Sequence, residues 1–349
     1  MSENVDIKPE EYVGYFVVGK KRIGTKKYGQ ITEVLDTPFG KVLMSTINER
    51  EFYLPVQFID HVGGKTIYVK NKLRPYSDRF WENLTERIPV IQNVPIGKIQ
   101  EVQFRDGKAY IVIKPKLALP KIIEEVWRKV KSKPKESYYD YVKKTFGLPP
   151  ELALYPKVVA LMAKTNDIEV PDDLFMDYFV TPLPPLERID DFYIHLDKYP
   201  EVIEYETYTV DDLSILPKPL RYQIPQDVPL DKLLTELQTR IRDVGLKTKL
   251  KNNNIYVTPQ DWLLVSITPK ENELEMALEV DWRKYIQSME PPMPWYVLLF
   301  GIFGVVIWAN QIRRLRDKRL IGQTFIDDPL NFEAVKKIRE AIEETLGST

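Results

Sequence analysis

A run of 22 residues near the C-terminus, from Pro291 to Ile312, contains no charged side chain. In a helix, with about 1.5 Å of rise per residue, such a run can cross a hydrocarbon core of roughly 30 Å. Trp295 and Tyr296 lie near one end and Trp308 near the other, where amphipathic rings favour the headgroup level of a bilayer. The alternative is a buried core helix, which usually has a polar stripe or a shorter apolar run. The run therefore predicts one transmembrane helix.

A basic cluster follows this run directly. Between Arg313 and Arg319 there are five basic residues and one acid, a pattern typical of the cytoplasmic end of a membrane span. The predicted membrane-anchoring residues are Trp295, Tyr296, Trp308, Arg313, Arg314, Arg316, Lys318 and Arg319. That orientation would export the first 290 residues, yet the N-terminus shows no secretory signal. The two criteria conflict, and we expect an integral, single-pass membrane protein whose N-terminal bulk is cytoplasmic.

Composition limits the chemistry that this chain can perform. A length of 349 residues predicts two or three domains, and 44% hydrophobic residues are enough for real cores. With no cysteine, disulfides and thiolate nucleophiles are excluded, and two histidines give a metal site little to build on. The common phosphate-binding, dinucleotide-binding, zinc-protease and serine-hydrolase motifs are missing. The sequence therefore predicts no enzyme, with no catalytic, cofactor-binding or metal-ligating residue and no cofactor.

Residues 12–72 contain short strand-like runs separated by glycine, proline or charged turns. Their landmarks are a strand entering Gly19-Lys20, the spacing of Gly29, Ile31 and Val34, a strand after Gly40-Lys41, the step Tyr53-Leu54-Pro55 with Phe58-Ile59, and a closing strand at Ile67-Tyr68-Val69. Regularly spaced short strands predict a small barrel or sandwich. Over about sixty residues, this pattern resembles the PRC-barrel family.

The resemblance implies a binding role for the N-terminal domain. In the PRC-barrel family the barrel is a binding module, found in a ribosome-maturation factor and in the membrane-anchored H subunit of photosynthetic reaction centres. The resemblance therefore implies adaptor work and brings no active-site residues with it.

Part of the N-terminal pattern recurs further along the chain. Three landmarks recur at offsets of 65 to 68 residues. The spacing of Gly29, Ile31 and Val34 recurs at Gly97, Ile99 and Val102. The pair Gly40-Lys41 recurs at Gly107-Lys108, and the pair Leu54-Pro55 recurs at Leu119-Pro120. These offsets predict a partial duplication over residues 94–127. The alternative is that two unrelated hairpins share the spacing by chance.

The middle of the chain is helical and locally basic. Apolar residues with helical spacing begin at Leu119, and Lys114 to Lys144 holds ten basic residues against four acids. Near an anionic surface each basic residue contributes about 1 kcal/mol. The predicted contacts to anionic lipid or nucleic acid are Arg128, Lys129, Lys131, Lys133, Lys135, Lys143 and Lys144. The alternative is an ordinary solvated face of amphipathic helices.

An acidic, proline-rich segment comes next. From Asn166 to Ile215 there are fourteen acidic residues against two basic ones. Prolines forbid a long helix, and interspersed aromatic residues argue against disorder. The segment predicts an extended, partly docked connector. Its aspartate pairs do not predict a calcium loop, because the segment has no turn glycine.

Two further helical patterns lie on either side of the uncharged run. The first has apolar residues on one face, ends at a glycine and is followed by four strand patterns. Its apolar residues are Leu230, Leu233, Leu234, Leu237, Ile241 and Val244, and the glycine is Gly245. The second is the amphipathic tail helix, with Phe332, Val335, Ile338, Ile342 and Leu346 on one face. A short helix alone is marginal in water, so this face needs a second subunit, another protein or a bilayer.

Together these patterns predict an α+β multidomain protein with an N-terminal small β-barrel-like domain, a helical middle, a membrane-proximal α+β domain and one C-terminal transmembrane helix. The expected segments are a PRC-barrel-like domain (1–75), a second β-unit (76–118), a basic helical segment (119–165), an acidic connector (166–219), the α+β domain (220–282), the transmembrane helix (291–312) and a basic stop with tail helix (313–349). We expect a non-enzymatic membrane anchor, assembly or adaptor protein. Its expected partners are membrane lipid and another protein or a second copy of itself. The alternative is a membrane-tethered nucleic-acid- or ribosome-associated factor using the basic 114–144 surface.

Overall fold

The computed structural model describes residues 8–20, 24–37, 39–71, 73–106, 108–130, 137–184, 192–196, 201–225, 228–290, 301–322 and 325–347. Its contacts divide the chain into two compact units. Unit 1 comprises Met1–Pro115 and Met176–Glu206, and unit 2 comprises Lys116–Phe175 and Thr207–Thr349. The chain therefore passes between the units three times.

Unit 1 begins with a six-stranded sheet. Its strands are β1 (Phe16–Lys20), β2 (Thr25–Thr37), β3 (Gly40–Ile47), β4 (Arg50–Pro55), β5 (Ile59–Gly63) and β6 (Thr66–Val69), in the order β4-β3-β2-β1-β6-β5. Branched and aliphatic residues on these strands, such as Ile31, Leu54 and Ile67, are fully buried. The β-rich N-terminus follows from this alternation of buried and exposed side chains.

The predicted barrel is wrong, because this sheet is open. β4 and β5 are its two edges, and within the described residues they do not pair with each other. The free edge of β4 is held instead by Tyr76, whose N–H donates to the carbonyl of Tyr53 at 2.9 Å. The N–H of Tyr53 donates in return to the carbonyl of Tyr76 at 2.8 Å. The segment after β6 thus occupies the edge that barrel closure would need.

Two smaller sheets complete unit 1. Their strands are β7 (Ile88–Ile91), β8 (Val94–Pro95), β9 (Gly97–Arg105), β10 (Lys108–Pro115), β11 (Met176–Pro182), β12 (Tyr193–Leu196) and β13 (Glu204–Thr207). The sheet orders are β13-β11-β10-β9 and β12-β7-β8. The segment predicted as an acidic connector supplies the last three strands. Its apolar residues make this possible, since Phe179 and Val180 of β11 are buried beside β10.

The hairpins β2-β3 and β9-β10 have the same register. Each position of the second lies 68 residues after its counterpart, from Gly29 and Gly97 to Ile47 and Pro115. Both hairpins have a bulge at the fourth residue of the motif. Leu119-Pro120 is different from Leu54-Pro55, because it begins a helix rather than ending a strand. In this register Gly40 corresponds to Lys108, so the predicted match of Gly40-Lys41 with Gly107-Lys108 is shifted by one residue. The shared register supports the predicted duplication for the hairpin itself.

Unit 2 begins with three helices: α1 (Pro120–Lys129), α2 (Tyr138–Phe146) and α3 (Pro156–Thr165). Proline at the first position starts α1 and α3, because its fixed φ suits a helix and its missing N–H costs nothing there. The ring of Trp127 lies 5.4 Å from that of Tyr141 and joins α1 to α2. The apolar stripe predicted for α1 is buried at Ile122 and Val126.

The second half of unit 2 is a sheet with helices. Its elements are β14 (Leu220–Gln223), α4 (Leu230–Asp243), β15 (Thr248–Lys251), β16 (Asn254–Gln260), β17 (Leu263–Lys270), β18 (Glu273–Val280), α5 (Trp282–Met289), α6 (Gly301–Gly322) and α7 (Glu333–Gly347). The sheet order is β14-β18-β17-β16-β15, antiparallel throughout. Helices α4 and α7 pack against each other. The tail helix therefore finds its partner within the chain.

The transmembrane prediction is also wrong. Among the described residues, no helix combines the length and the apolar character that crossing a bilayer requires. Helix α6 has 22 residues, but its second half carries the charged cluster from Arg313 to Arg319 in the same helix. Residues 291–300, the first part of the predicted span, lie outside the described residues. The single-pass membrane localisation predicted from this run is corrected accordingly.

Candidate interaction surfaces

The basic 114–144 segment is a mosaic of opposite charges. Four of its lysines form ion pairs with carboxylates: Lys114 with Asp177 at 3.0 Å, Lys121 with Asp173 at 3.4 Å, Lys129 with Glu125 at 2.9 Å, and Lys116 with Asp327. The neighbouring Lys129 ammonium lowers the pKa of Glu125. A surface on which acids neutralise lysines presents a weaker field to an anionic partner.

Four of the seven predicted anionic-surface contacts lie at helix ends. Arg128 and Lys129 are in the last turn of α1, and Lys143 and Lys144 are in the last turn of α2. Basic side chains there interact favourably with the partial negative charge of a helix C-terminus, typically by about 0.3–1 kcal/mol. Lys131, Lys133 and Lys135 lie outside the described residues. The four described residues therefore have a structural role that needs no ligand.

Two of the predicted membrane-anchoring arginines also have structural roles. Arg316 forms an ion pair with Glu151 at 3.8 Å, and Arg319 Nη1 donates to the carbonyl of Met289 at 3.2 Å, at the end of α5. The hydroxyl of Tyr155 donates to the carbonyl of Leu320 at 3.2 Å, and both residues are buried. The second half of α6 is thus docked on the helical segment. A lipid-facing basic stop would instead be solvated.

The remaining anchor predictions are scattered. Trp295 and Tyr296 lie outside the described residues, Trp308 is half-buried in α6, and Arg313, Arg314 and Lys318 are exposed on that helix. The structure therefore places the basic side chains of this group on one helix. Among the described residues, aromatic anchors do not flank that helix at both ends.

Helix α6 carries an apolar stripe on its surface. Val305 is 46% exposed and Leu315 is 42% exposed, and the half-buried Trp308 and Ile312 lie between them. Steps of three, four and three residues place all four on one face of the helix. Their exposure distinguishes them from Leu320 and Ile321, which are buried in the same helix. The sequence did not indicate these four residues, because the uncharged first half of α6 gives no pattern that separates its exposed side chains from its buried ones.

Two large apolar side chains of unit 1, three residues apart in the chain, are also exposed. Val13 and Phe16 are 51% and 52% exposed. Phe16 opens β1, and its backbone N–H donates to the carbonyl of Lys65 at 2.9 Å. The rigid strand fixes the backbone of this residue while its ring projects into solvent. The strand pattern in the sequence located β1 but gave no sign of which of its residues stay exposed.

A cleft of about 370 Å³ lies where β17 and β18 meet the start of α5. Its polar lining includes Asp261, Glu279, Asp281 and Lys284, and its apolar lining includes Trp262. Asp281 Oδ1 accepts a hydrogen bond from the backbone N–H of Lys284 at 3.1 Å, and this bond lowers the pKa of the carboxyl. Asp281 and Lys284 therefore serve the start of the helix.

No known protein family, curated protein or solved structure matched this chain. Its function therefore has to be argued from its own surfaces.

Proposed function

We propose that this chain is a non-enzymatic assembly or adaptor protein with a protein-binding surface on each of its two units. The observation that carries this proposal is the exposure of large apolar side chains in both: Val13 and Phe16 in unit 1, Val305 and Leu315 in unit 2. Grouped apolar side chains on a surface commonly mark protein–protein contact sites. Two such surfaces on one chain fit a protein that joins partners.

The N-terminal strands support the same role through their resemblance to the PRC-barrel family, in which the domain is a binding module. The open sheet departs from a closed barrel. Only the binding role is therefore carried over, and no residue of a family site.

Surface substitutions test the proposal. Val13→Asp with Phe16→Asp is expected to remove one set of co-purifying proteins, and Val305→Lys with Leu315→Lys a different set. Charges on an apolar contact surface oppose its desolvation. Matched controls are Lys98→Asp in unit 1 and Val244→Lys in unit 2, both at exposed positions. The proposal fails if the wild-type chain co-purifies with nothing, or if both surface variants keep every partner that the controls keep.

A nucleic-acid- or ribosome-associated role for the basic 114–144 segment is the alternative. The ion pairs of Lys114, Lys121 and Lys129 count against it. RNA affinity measured at about 50 and about 200 mM salt separates the two roles. A protein that neutralises many phosphates loses about 10³-fold or more over that range. The adaptor proposal expects weak RNA binding without so steep a dependence.

A further inference from the structure

We infer that the sheet face around Phe16 in unit 1 binds an acidic segment of a partner protein. Three neighbouring strands, β2, β1 and β6, build this face. The inference rests on the proposed adaptor role and names the chemistry of one of its partners. That partner is a polypeptide that presents carboxylates beside an apolar side chain.

The strand register places apolar and basic side chains together on this face. Phe16, Val18 and Lys20 alternate along β1 with buried residues, so their side chains leave the same side of the sheet. Val18 is paired with Lys27 of β2, and directly paired residues share a face. Along the strand, the row of Lys27 is about 7 Å and Lys20 about 13 Å from Phe16. One short segment of a partner can therefore reach all of these side chains.

The hairpin that joins β1 to β2 is strongly basic. From Gly19 to Lys27 the sequence has five basic residues and no acidic one. Lys20 and Lys27 are exposed, and neither forms an ion pair with another described residue. Lys70, which follows β6, is a further exposed lysine. A surface with several ammonium groups that no acid neutralises is complementary to a partner of negative charge.

The carboxylates of the same face lie away from these lysines. Glu51 is in the row of Phe16 but three strands away, at about 14 Å, where it accepts a hydrogen bond from the hydroxyl of Tyr53. Glu33 lies six residues beyond Lys27 on β2. The basic and apolar side chains are therefore next to each other, with the acids to one side. This arrangement fits a partner whose carboxylates flank an apolar side chain.

A nucleic acid fits this face less well than an acidic polypeptide. Single strands bind by stacking successive bases on aromatic rings. Tyr68, which is paired with Val18, is already stacked on His61, with 4.5 Å between the ring centroids and 10° between the ring planes. The carboxylate of Asp60 lies 2.9 Å from Nδ1 of His61. A phosphate backbone that reached these rings would meet this negative charge, whereas a short acidic segment can contact the lysines alone.

Fluorescence anisotropy of the full chain with labelled synthetic peptides tests the charge of the partner. The acidic probe has one leucine followed by alternating serines and glutamates, because alternate side chains of an extended peptide lie about 7 Å apart on one face. The basic probe has lysine in place of each glutamate. We expect the wild type to bind the acidic probe roughly 10-fold more tightly at about 50 mM salt, and less tightly at about 200 mM. Equal affinities for the two probes, or no binding of the acidic probe, would overturn the inference.

Surface variants locate the binding. Lys20→Glu combined with Lys27→Glu is expected to reverse the preference, so that the basic probe binds more tightly. Phe16→Asp, which tests the surface independently of the lysines, is expected to weaken binding of the acidic probe roughly 10-fold. The matched control is Lys98→Glu, an equal charge change at an exposed position of β9, and thermal unfolding shows whether each variant is folded. An equal loss in the control contradicts the proposed location. Tighter binding of a single-stranded oligonucleotide of the same charge than of the acidic probe contradicts the proposed partner.

The two proposals fail in different ways. A wild type that shows no preference for the acidic probe, but loses a co-purifying protein on the combined Val13→Asp and Phe16→Asp change, would overturn the acidic partner and leave the adaptor role standing. A wild type that binds the acidic probe but co-purifies with no protein would overturn the adaptor role and leave the binding site standing.

Discussion

Two glycines of unit 1 are fixed by the strands beside them. A Cβ on Gly29 would lie 2.1 Å from the carbonyl oxygen of Thr46, and a Cβ on Gly97 would lie 2.0 Å from that of Lys114. Both glycines hold the same position in hairpins of identical register. The sequence motif repeated a glycine here because the backbone of the neighbouring strand leaves no room for a side chain.

Gly97→Ala is therefore expected to destabilise unit 1 by about 1–3 kcal/mol, as overpacking of a tight site usually does. Because φ is not positive at Gly97, steric overlap alone accounts for this loss. Urea unfolding followed by circular dichroism measures it. Gly322→Ala, where a Cβ meets nothing within 4 Å, is the control and is expected to have little effect. Equal midpoints for the two variants would contradict the close approach.

Buried tyrosines make the stability of unit 2 sensitive to alkali. Burial raises the pKa of Tyr138 and of Tyr155 above the usual value of 10.0. The neutral hydroxyls are therefore compatible with the fold, and the ionised forms are not. Below pH 10 the two hydroxyls stay neutral and contribute their full stability. This contribution is lost as the pH rises above the pKa that these tyrosines have in the unfolded chain.

We expect the free energy of unfolding to fall above pH 10 by up to about 1.4 kcal/mol per pH unit for each buried tyrosine. Tyr155→Phe should make that fall shallower, although it costs about 1 kcal/mol at neutral pH through the lost hydrogen bond to Leu320. Urea titrations from pH 8 to about pH 11 measure both effects. The exposed Tyr205, changed to Phe, is the control. An unchanged slope in Tyr155→Phe would argue against its burial.

Helices α4 and α7 are the clearest case of one element completing another. Leu233, Leu237 and Ile241 of α4 are fully buried, as are Val335, Ile338 and Ile342 of α7. Arg240 and Glu344 add an ion pair of 3.4 Å between the two helices. Such partly exposed pairs contribute only about 0–1 kcal/mol, so apolar burial holds the helices together.

Ile338→Ala is expected to cost about 2–5 kcal/mol, because it removes a fully buried side chain and leaves a cavity. Thermal unfolding measures the loss. Lys336→Ala, on the exposed side of the same helix, removes only a 3.8 Å pair with Glu340 and should change stability by about 0.5 kcal/mol or less. If both variants unfold at the same temperature, α7 does not dock as described.

Periodicity predicted the elements better than their partners. The stripe of α4 from Leu233 to Ile241, its stop at Gly245 and the apolar face of α7 could all be predicted from local spacing, because one side of a helix must be buried. The same spacing predicts Val244 on this stripe, but Val244 is 42% exposed, because it lies at the C-cap beyond the last helical residue. The partner of α7 could not, since α4 lies about a hundred residues earlier in the chain. The prediction of a closed barrel was wrong for the same reason, because Tyr76 pairs with the edge of β4. The uncharged first half of α6 predicted a membrane span, so the docking of its charged second half could not be predicted.

At the scale of the whole molecule, each of the two units contains a residue whose substitution is expected to destabilise it. Gly97 lies in unit 1 and Ile338 in unit 2. Proteins with more than one compact unit often unfold in more than one step.

Scanning calorimetry is therefore expected to show two transitions. Gly97→Ala should lower the temperature of one and Ile338→Ala that of the other. A single transition that both substitutions shift together would mean that the two units unfold as one.

The threefold passage of the chain between its units also orders their folding during synthesis. The sheets of unit 1 lack β11 and β12 until residue 196 has left the ribosome, although β10 is made some eighty residues earlier. Tyr155 must wait for Leu320, 165 residues later, before its hydroxyl has an acceptor. Neither unit can finish before the other has begun, and contacts of long sequence separation form slowly. A growing chain of this protein therefore exposes an unpaired edge of β10 until β11 has been made, and we expect it to depend on chaperones that protect such edges.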